Sequence, residues 1–552
     1  MAEPEVLVVG AGPVGLTVAY ELARRGIAIR VVDKAEGPAT SSRALATHAR
    51  TLEILFQMGL VDRLLPLGQK VEHFSIHQRG RCLLAFDTNY TKMPTRFPFS
   101  LMVDQVRTEG MLREALSEQG VEIEWGVALD RFDADEDGVL AELRHADGGT
   151  EKVAVPWLVG TDGGKSTVRK ALDLKLLGDT TETWLNADVV ITGSDLPRDS
   201  NHLLHTGGGS LLLVPFPDPG KWRVVDTLDI EGADDPEVIR ARLEHKISRA
   251  LRRRVKVADP TWISVFTVQQ RMIQRMRVGR CFVAGDAAHV HSPASGQGMN
   301  TGIQDGYNLA WKLADVVRGH AGDALLDTYG AERVPIGEVL LGSTEKATAL
   351  VKLRNAALPV VLPVGLGLLN ALKPVKRKVE GKVIRGFCGL PLNYADSPLT
   401  TCDPGYEKAG IKPGHRVACD GASERASAGW RAMCTELTDR RWSLLGFAGD
   451  GSPADLGAML GRVQERHGEA VSVRTVVREG GDGTGPGPMA DPGGRLAAGL
   501  GLRPGDYALV RPDGYLAAKG RIVSAEQLLS VLADAHLIPS LEPAETRSQS
   551  GE

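Results

Sequence analysis

Residues 5–9 read Glu-Val-Leu-Val-Val and run directly into Gly10-Ala11-Gly12-Pro13-Val14-Gly15. No other stretch restricts the possible folds as much. The apolar, β-branched run predicts a buried parallel strand. Beyond it Leu16, Ala19, Tyr20, Leu22 and Ala23 recur with helical spacing and stop at Gly26, and a second strand is expected from Ile27 to Val32, ending at Asp33. Gly10 allows the tight turn, Gly12 lets the backbone approach a pyrophosphate, and Gly15 lets helix and strand pack closely. The helix start then faces a phosphate with its N–H groups and the positive end of its dipole. Asp33 stands eighteen residues after Gly15, near the interval expected for an acid that accepts from a ribose diol. Strand, glycines, helix and acid together predict a dinucleotide-binding α/β domain.

Two later segments repeat the pattern of a strand ending in a polar turn. Trp157-Leu158-Val159-Gly160 leads into Thr161-Asp162-Gly163-Gly164-Lys165-Ser166-Thr167-Val168-Arg169. On its own this is a helix entry, with Asp162 or Ser166 as the cap and Arg169 solvated. Arg280-Cys281-Phe282-Val283-Ala284 leads into Gly285-Asp286-Ala287-Ala288-His289 and then Pro293 and Gly296-Gln297-Gly298-Met299-Asn300-Thr301-Gly302, with a helix expected over Ile303 to Val317. Ligands of open α/β sheets bind beyond the carboxyl ends of the strands, which places Asp286 at a binding edge.

These three motifs, in this order, resemble the class A flavoprotein monooxygenases, the para-hydroxybenzoate and phenol hydroxylase family. The resemblance covers residues 5 to about 390 and extends more loosely to about 540. It implies a Rossmann-like FAD domain of the glutathione-reductase type (1–73, 100–180 and 275–390), interleaved with a β-sheet substrate domain (74–99 and 181–274). It further implies a thioredoxin-like domain (395–540) and a disordered tail (541–552).

By the same resemblance, FAD is held by Gly10, Gly12, Pro13, Val14, Gly15, Asp33 and Lys34, with Leu129 near the adenine. Arg43, in Ser41-Ser42-Arg43-Ala44, and Gln105, in Val103-Asp104-Gln105, are further contacts. Asp162 belongs to a motif linked with both FAD and NADPH, and Asp286 holds ribityl or ribose hydroxyls. Pro293, Gly296, Gln297, Gly298, Met299 and Asn300 line the isoalloxazine, whose reduced form carries negative charge that a helix start near Met299 can stabilise. Ser295 stands where relatives often have glycine.

The implied activity is hydroxylation of a phenolic or polycyclic aromatic substrate through a flavin C4a-hydroperoxide, with NADPH or NADH as reductant and O2 as co-substrate, in natural-product biosynthesis or aromatic degradation. Only one dinucleotide fingerprint is present, which fits a tightly held FAD and a transient nicotinamide. The sequence names no substrate-deprotonating base. The same fold also serves Baeyer–Villiger insertion or epoxidation, and a non-catalytic flavin or ligand binder would keep the same cofactor residues.

Other readings are blander. A formal charge of −4 and a pI near 6.4 lack the footprint of a nucleic-acid binder. The six cysteines contain no C-x-x-C pair, so neither a zinc ribbon nor a redox dithiol is signalled, and scattered thiols suit a reducing cytoplasm, while the high Ala, Gly and Arg content points to a GC-rich bacterial genome. Val6 to Ala23 is interrupted by glycines, Pro13 and Glu21, and Ala356 to Leu369 has only 14 residues. A spanning helix needs roughly 20, so no stable membrane insertion is expected. His289 and His291 lack a third ligand in pattern, so no metal is expected. Arg252-Arg253-Arg254 reads as a solvated helix face, and His202, His205, Phe216 and Trp222 as structural residues of the substrate sheet. Trp442 to Phe447 and Tyr507 to Val510 read as strands, with a turn at Arg511 to Tyr515 and a Gly/Pro-rich loop at Gly480 to Gly494. A homo-oligomer is left open.

Overall fold

The computed structural model describes residues 3–87, 93–206, 209–228, 230–290, 296–352, 372, 374–376, 389–450, 452–478 and 485–540. Pro293, Ala356 to Leu369 and the 541–552 tail lie outside them. The chain divides into two compact units, one of residues 1–307 with 333–392 and one of 308–332 with 393–552.

The first unit contains a six-stranded sheet, in the order Arg277–Val278, Cys281–Val283, Trp157–Gly160, Val6–Val9, Ile29–Asp33, Ile123–Trp125. All neighbours are parallel except the first pair. Val6–Val9 is buried at every residue, as a strand covered on both faces must be. The helix Pro13–Arg24 follows, with proline in its first turn, where a missing N–H costs nothing. The second strand begins at Ile29 rather than Ile27, because the turn after the helix bonds Ile27 N–H back to the Leu22 carbonyl.

A second, nine-stranded sheet gathers strands from 73–87 and 177–290. Its central strands are Leu177–Thr192, Lys221–Asp226, Ser210–Pro215 and Ser200–His205. One face is closed by the helix Pro236–Leu251, whose Ile239, Leu243 and Ile247 pack on Leu185, Ala187, Leu204, Leu211, Leu213 and Val224. The triple-arginine cluster is not a helix face. The helix stops at Leu251, and Arg252 takes a left-handed cap with φ of 49°, so these arginines lie in the turn that follows.

The helix expected from Ile303 starts five residues earlier and runs Gly298–Val317. Gly302 and Gly306 lie in its first turns, where a Cβ would come within 2.6 and 3.1 Å of Val14.

The second unit has a five-stranded sheet in the order Pro488–Ala490, Val471–Val477, Trp442–Phe447, Asp506–Val510, Leu516–Arg521. The first three are mutually parallel, and the last two form an antiparallel hairpin. Inside this unit Glu332 is completely buried and takes five donors: Arg511 Nη1 and Nη2 at 2.6 and 2.9 Å, Lys312 Nζ at 2.7 Å, Asn308 Nδ2 at 2.8 Å and Ser397 Oγ at 2.6 Å. Asp513 accepts from Arg511 at 2.7 and 3.0 Å, so two cations face two carboxylates. Burial pulls the Lys312 ammonium down to about 8 even with Glu332 beside it. Glu332→Gln leaves two buried cations against one carboxylate. It is expected to destabilise the protein by about 3–5 kcal/mol, seen as a lower midpoint in urea unfolding followed by tryptophan fluorescence.

Candidate active site

Four chain segments leave the carboxyl edge of the parallel sheet: Gly10 after Val9, Asp33, Thr161-Asp162 after Gly160, and Gly285-Asp286 after Ala284. Gly10 has φ of +107°, and a Cβ there would stand 2.6 Å from the Thr161 carbonyl oxygen. A Cβ on Gly15 would stand 1.8 Å from the Gly10 carbonyl oxygen. Gly12 differs, since a Cβ there would meet no protein atom within 4 Å. The helix it caps has no side-chain cap. Gly12 therefore borders open space at the positive end of a helix dipole, where a pyrophosphate fits.

Val14 joins the first motif to the third. Cβ atoms on Gly285 and Gly302 would lie 2.7 and 2.6 Å from its Cγ2, and one on Gly306 would lie 3.1 Å from its carbonyl oxygen. The start of the Gly298–Val317 helix is thereby pressed against the start of the Pro13–Arg24 helix. Gly298 again borders open space. Asn300 fixes this turn: its Nδ2 donates to the Ala46 and Gly296 carbonyls at 2.8 Å, and its Oδ1 accepts from His48 N–H at 2.8 Å. His48 is buried, with Nδ1 2.9 Å from Ser100 Oγ. Gln297 is buried, and Met299 is half-buried.

Asp33 accepts from Ala11 N–H at 2.7 Å through Oδ2 and from Ala35 N–H at 2.8 Å through Oδ1. Each oxygen keeps a lone pair for a diol. Lys34 is exposed. Val127 N–H donates to the Asp33 carbonyl at 3.0 Å, which brings the buried Leu129 to the same edge. Gln105 acts on backbone: its Oε1 accepts from Ala44 N–H at 3.1 Å, and its Nε2 donates to Glu109 at 2.8 Å. It thus holds the loop that carries the exposed Arg43. Asp286 opens to solvent, yet crowding protein raises its carboxyl pKa, with the positive field of His289 and Arg43 opposing.

Asp162 is spent on its own turn. Oδ1 accepts from Ser166 Oγ at 2.5 Å, and Oδ2 from Thr167 N–H at 2.6 Å. Ser166 caps the short helix Thr167–Ala171 by accepting from Arg169 N–H. Arg169 is not solvated as the sequence suggests. It is buried and donates from Nη1 to the Ala287 carbonyl at 3.1 Å, tying the second motif to the third.

Sequence reasoning missed a buried trio. Asp305 Oδ2 lies 2.5 Å from His289 Nε2 and accepts Gly285 N–H at 3.2 Å, while Oδ1 accepts Arg333 Nε at 2.7 Å. Arg333, with His289, holds the Asp305 carboxyl down to about 2 despite complete burial. The available signal was a carboxylate among the apolar Ile303, Leu309 and Ala310 of one helix, which requires a partner once that helix is buried.

The four substrate-sheet candidates separate by face. Trp222 belongs to the core under the Pro236–Leu251 helix, and the His202 ring packs against it with centroids 5.7 Å apart. His202 is further held by Ser75 Oγ at 2.6 Å and the Pro197 carbonyl at 2.8 Å, and burial lowers its pKa to about 4. Phe216 packs with Leu45, Val71 and Met102. His205 alternates with Leu204 and so points to the sheet face away from that helix. Burial lowers its pKa as well.

The parallel sheet with its glycine turn at a helix start, the open space beside Gly12 and Gly298 and the exposed Asp286 are the architecture of a dinucleotide-binding enzyme. The model of the FAD binding domain family matches residues 3–344, and the chain belongs to that family. It is 59% identical over 536 residues to 6-methylpretetramide 4-monooxygenase of Streptomyces rimosus, covering 97% of this chain and 94% of that one. It is 32% identical to pentachlorophenol 4-monooxygenase of Sphingobium chlorophenolicum, over 75% of this chain and 76% of the relative. The solved structure of aklavinone-11 hydroxylase with FAD and aklavinone superposes with a TM-score of 0.73 at 26% identity, covering 97% of this chain and 100% of that one. The chain is an FAD-dependent aromatic monooxygenase. Among the described residues no helix is long and apolar enough to cross a membrane.

Proposed function

We propose that this enzyme hydroxylates a fused-ring phenolic polyketide of the 6-methylpretetramide kind. The observation that carries the reading is the 59% identity to 6-methylpretetramide 4-monooxygenase, sustained over 97% of the chain. The nine-stranded sheet adds support, since the face away from its covering helix carries Leu212, Val214 and Val225 half-buried. Such a face suits a flat apolar ligand.

FAD, when bound, accepts hydride from NADPH or NADH and activates O2. The rest is the work of this chain. Gly10, Gly12, Pro13, Val14 and Gly15 hold the pyrophosphate, Asp33 and Lys34 the ribose, and Leu129 the adenine. Asp286 binds ribityl hydroxyls, and Arg43 and Gly296 to Asn300 border the ring. Gln105 and Asn300 act by fixing those loops, and Asp162 by shaping the turn beside the nicotinamide approach. We read residues 1–73, 100–180 and 275–390 as the FAD domain and 74–99 with 181–274 as the substrate domain.

We read 395–540 as thioredoxin-like. Two parallel strands, Trp442–Phe447 and Val471–Val477, lie beside a hairpin that is followed by the helix Ala525–Asp534, which is the thioredoxin order. Lacking a C-x-x-C pair, this domain serves structure rather than dithiol exchange.

The test is NADPH oxidation by the holoenzyme with 6-methylpretetramide, followed by product NMR. We expect stimulated oxidation and a ring hydroxyl whose oxygen derives from labelled O2. Stimulation by monocyclic phenols alone would overturn the substrate class, and a ring-expanded lactone would overturn hydroxylation.

A further inference from the structure

The sheet register orders the side chains of the half-open face. Asn186 pairs across with Val225 and with Ser264, Val225 with Leu212, and Leu212 with Leu203. These five residues form one row across five strands. Val225, Leu212 and Ser264 are half-buried, whereas Leu185, Ala187, Leu211, Leu213 and Val224, on the opposite face, are sealed under the helix. Within this row Asn186 is anomalous. It is 94% buried by its 6% exposure, and its Oδ1 has no hydrogen-bond partner. Buried amides are almost always satisfied, and an orphan needs a reason.

Its position supplies one. Two residues along the same strand, roughly 7 Å away, Asp188 holds Arg223 through bonds of 2.8 and 2.9 Å. Arg223 in turn donates to the Ser42 and Arg43 carbonyls at 2.8 and 2.9 Å. Asn186 therefore stands one step from the loop read above as the flavin's border.

We propose that Asn186 is a specificity-determining residue whose amide anchors an oxygen-bearing edge of the bound aromatic substrate. The inference rests on the fused-ring reading above. An amide offers an acceptor and two donors, the complement of a hydroxyl beside a carbonyl on an aromatic edge. The apolar Leu203, Leu212 and Val225 meet the ring face. Ligand binding completes the bonds that the free protein leaves open.

Asn186→Leu tests this in two ways on holoenzyme. The affinity for 6-methylpretetramide is expected to fall about tenfold, with KM rising more than kcat falls, while FAD content and substrate-free NADPH oxidation stay unchanged. The melting temperature without substrate is expected to hold or rise by about 1–2 °C, because an unpaired polar group leaves the interior. Asn186→Ala, read by binding alone, gives the same loss if the larger side chain misfits. A melting temperature lower by several degrees with unchanged affinity in both variants would make the amide structural and overturn the anchor. A wild-type enzyme that binds no fused-ring phenol overturns the substrate reading instead, and the anchor with it.

Discussion

Gly15→Ala is expected to purify without flavin. The added methyl would stand 1.8 Å from the Gly10 carbonyl oxygen and 2.6 Å from Thr161 Oγ1. The first of these is backbone and cannot rotate away. Either the helix Pro13–Arg24 lifts from the strand Val6–Val9, or Gly10 leaves its turn. Gly10 is itself committed, since its φ of +107° brings it against the Thr161 carbonyl, and its N–H is bonded to the Val32 carbonyl at 2.8 Å. Overpacking of this kind costs about 1–3 kcal/mol when side chains can yield, and more against backbone. Flavin affinity should drop at least about 100-fold, or roughly 2.7 kcal/mol, measured by FAD titration of the apoprotein. Gly12→Ala separates strain from cofactor contact. Its methyl meets no protein atom within 4 Å, so the apoprotein should melt as the wild type does, yet FAD should bind poorly if the pyrophosphate fills that space, as proposed above. If Gly12→Ala retains FAD at wild-type affinity, the pyrophosphate does not sit there.

What could be read in the sequence is local and periodic. The strand, glycines, helix and acid of residues 5–33 lie within a few turns of one another, and each constrains the next, so the sheet and its binding edge follow. The strands Trp157–Gly160 and Trp442–Phe447 are short and predominantly apolar, and the observed bounds match. What could not be read depends on the far ends of contacts. Arg169 looks like a solvated helix residue until the Ala287 carbonyl, 118 residues away, is placed beside it. His202 and His205 are three apart on one strand and face opposite sides, and composition cannot say which side a helix will seal. The starts of the helices Pro13–Arg24 and Gly298–Val317 meet at Val14, through glycines at 285, 302 and 306 that read in sequence only as a loop and weak helix formers. The charges inside a buried helix were the missed clue. Asp305 and Lys312 both lie in a helix buried along nearly its whole length, and burial of that kind demands the partners the structure supplies, Arg333 and Glu332.

Asp305→Asn should injure both stability and flavin retention. The carboxylate accepts on both oxygens: Arg333 Nε on one, His289 Nε2 and the Gly285 N–H on the other. An amide keeps only one acceptor oxygen. Turned either way, its NH2 meets a donor, Arg333 on one side or Gly285 N–H on the other. The buried Arg333 also loses the charge that balances it, and breaking a buried pair in this manner costs about 3–5 kcal/mol. Gly285 precedes Asp286, so the loss is transmitted to the residue proposed above to bind FAD, and the variant should release FAD on desalting more readily than wild type. The same carboxylate sets an acid limit. Its pKa is held at about 2, below the ordinary 3.8, so its stabilisation is fully present above pH 3.8 and is lost as pH falls through about 2. The group contributes roughly 2 kcal/mol at neutral pH by linkage. Wild-type stability should therefore decline between about pH 4 and pH 2 by that amount from this group, and the Asp305→Asn protein, less stable throughout, should show a shallower decline there. Parallel declines in urea-unfolding series across that window would mean that Asp305 does not titrate as the buried partner of Arg333.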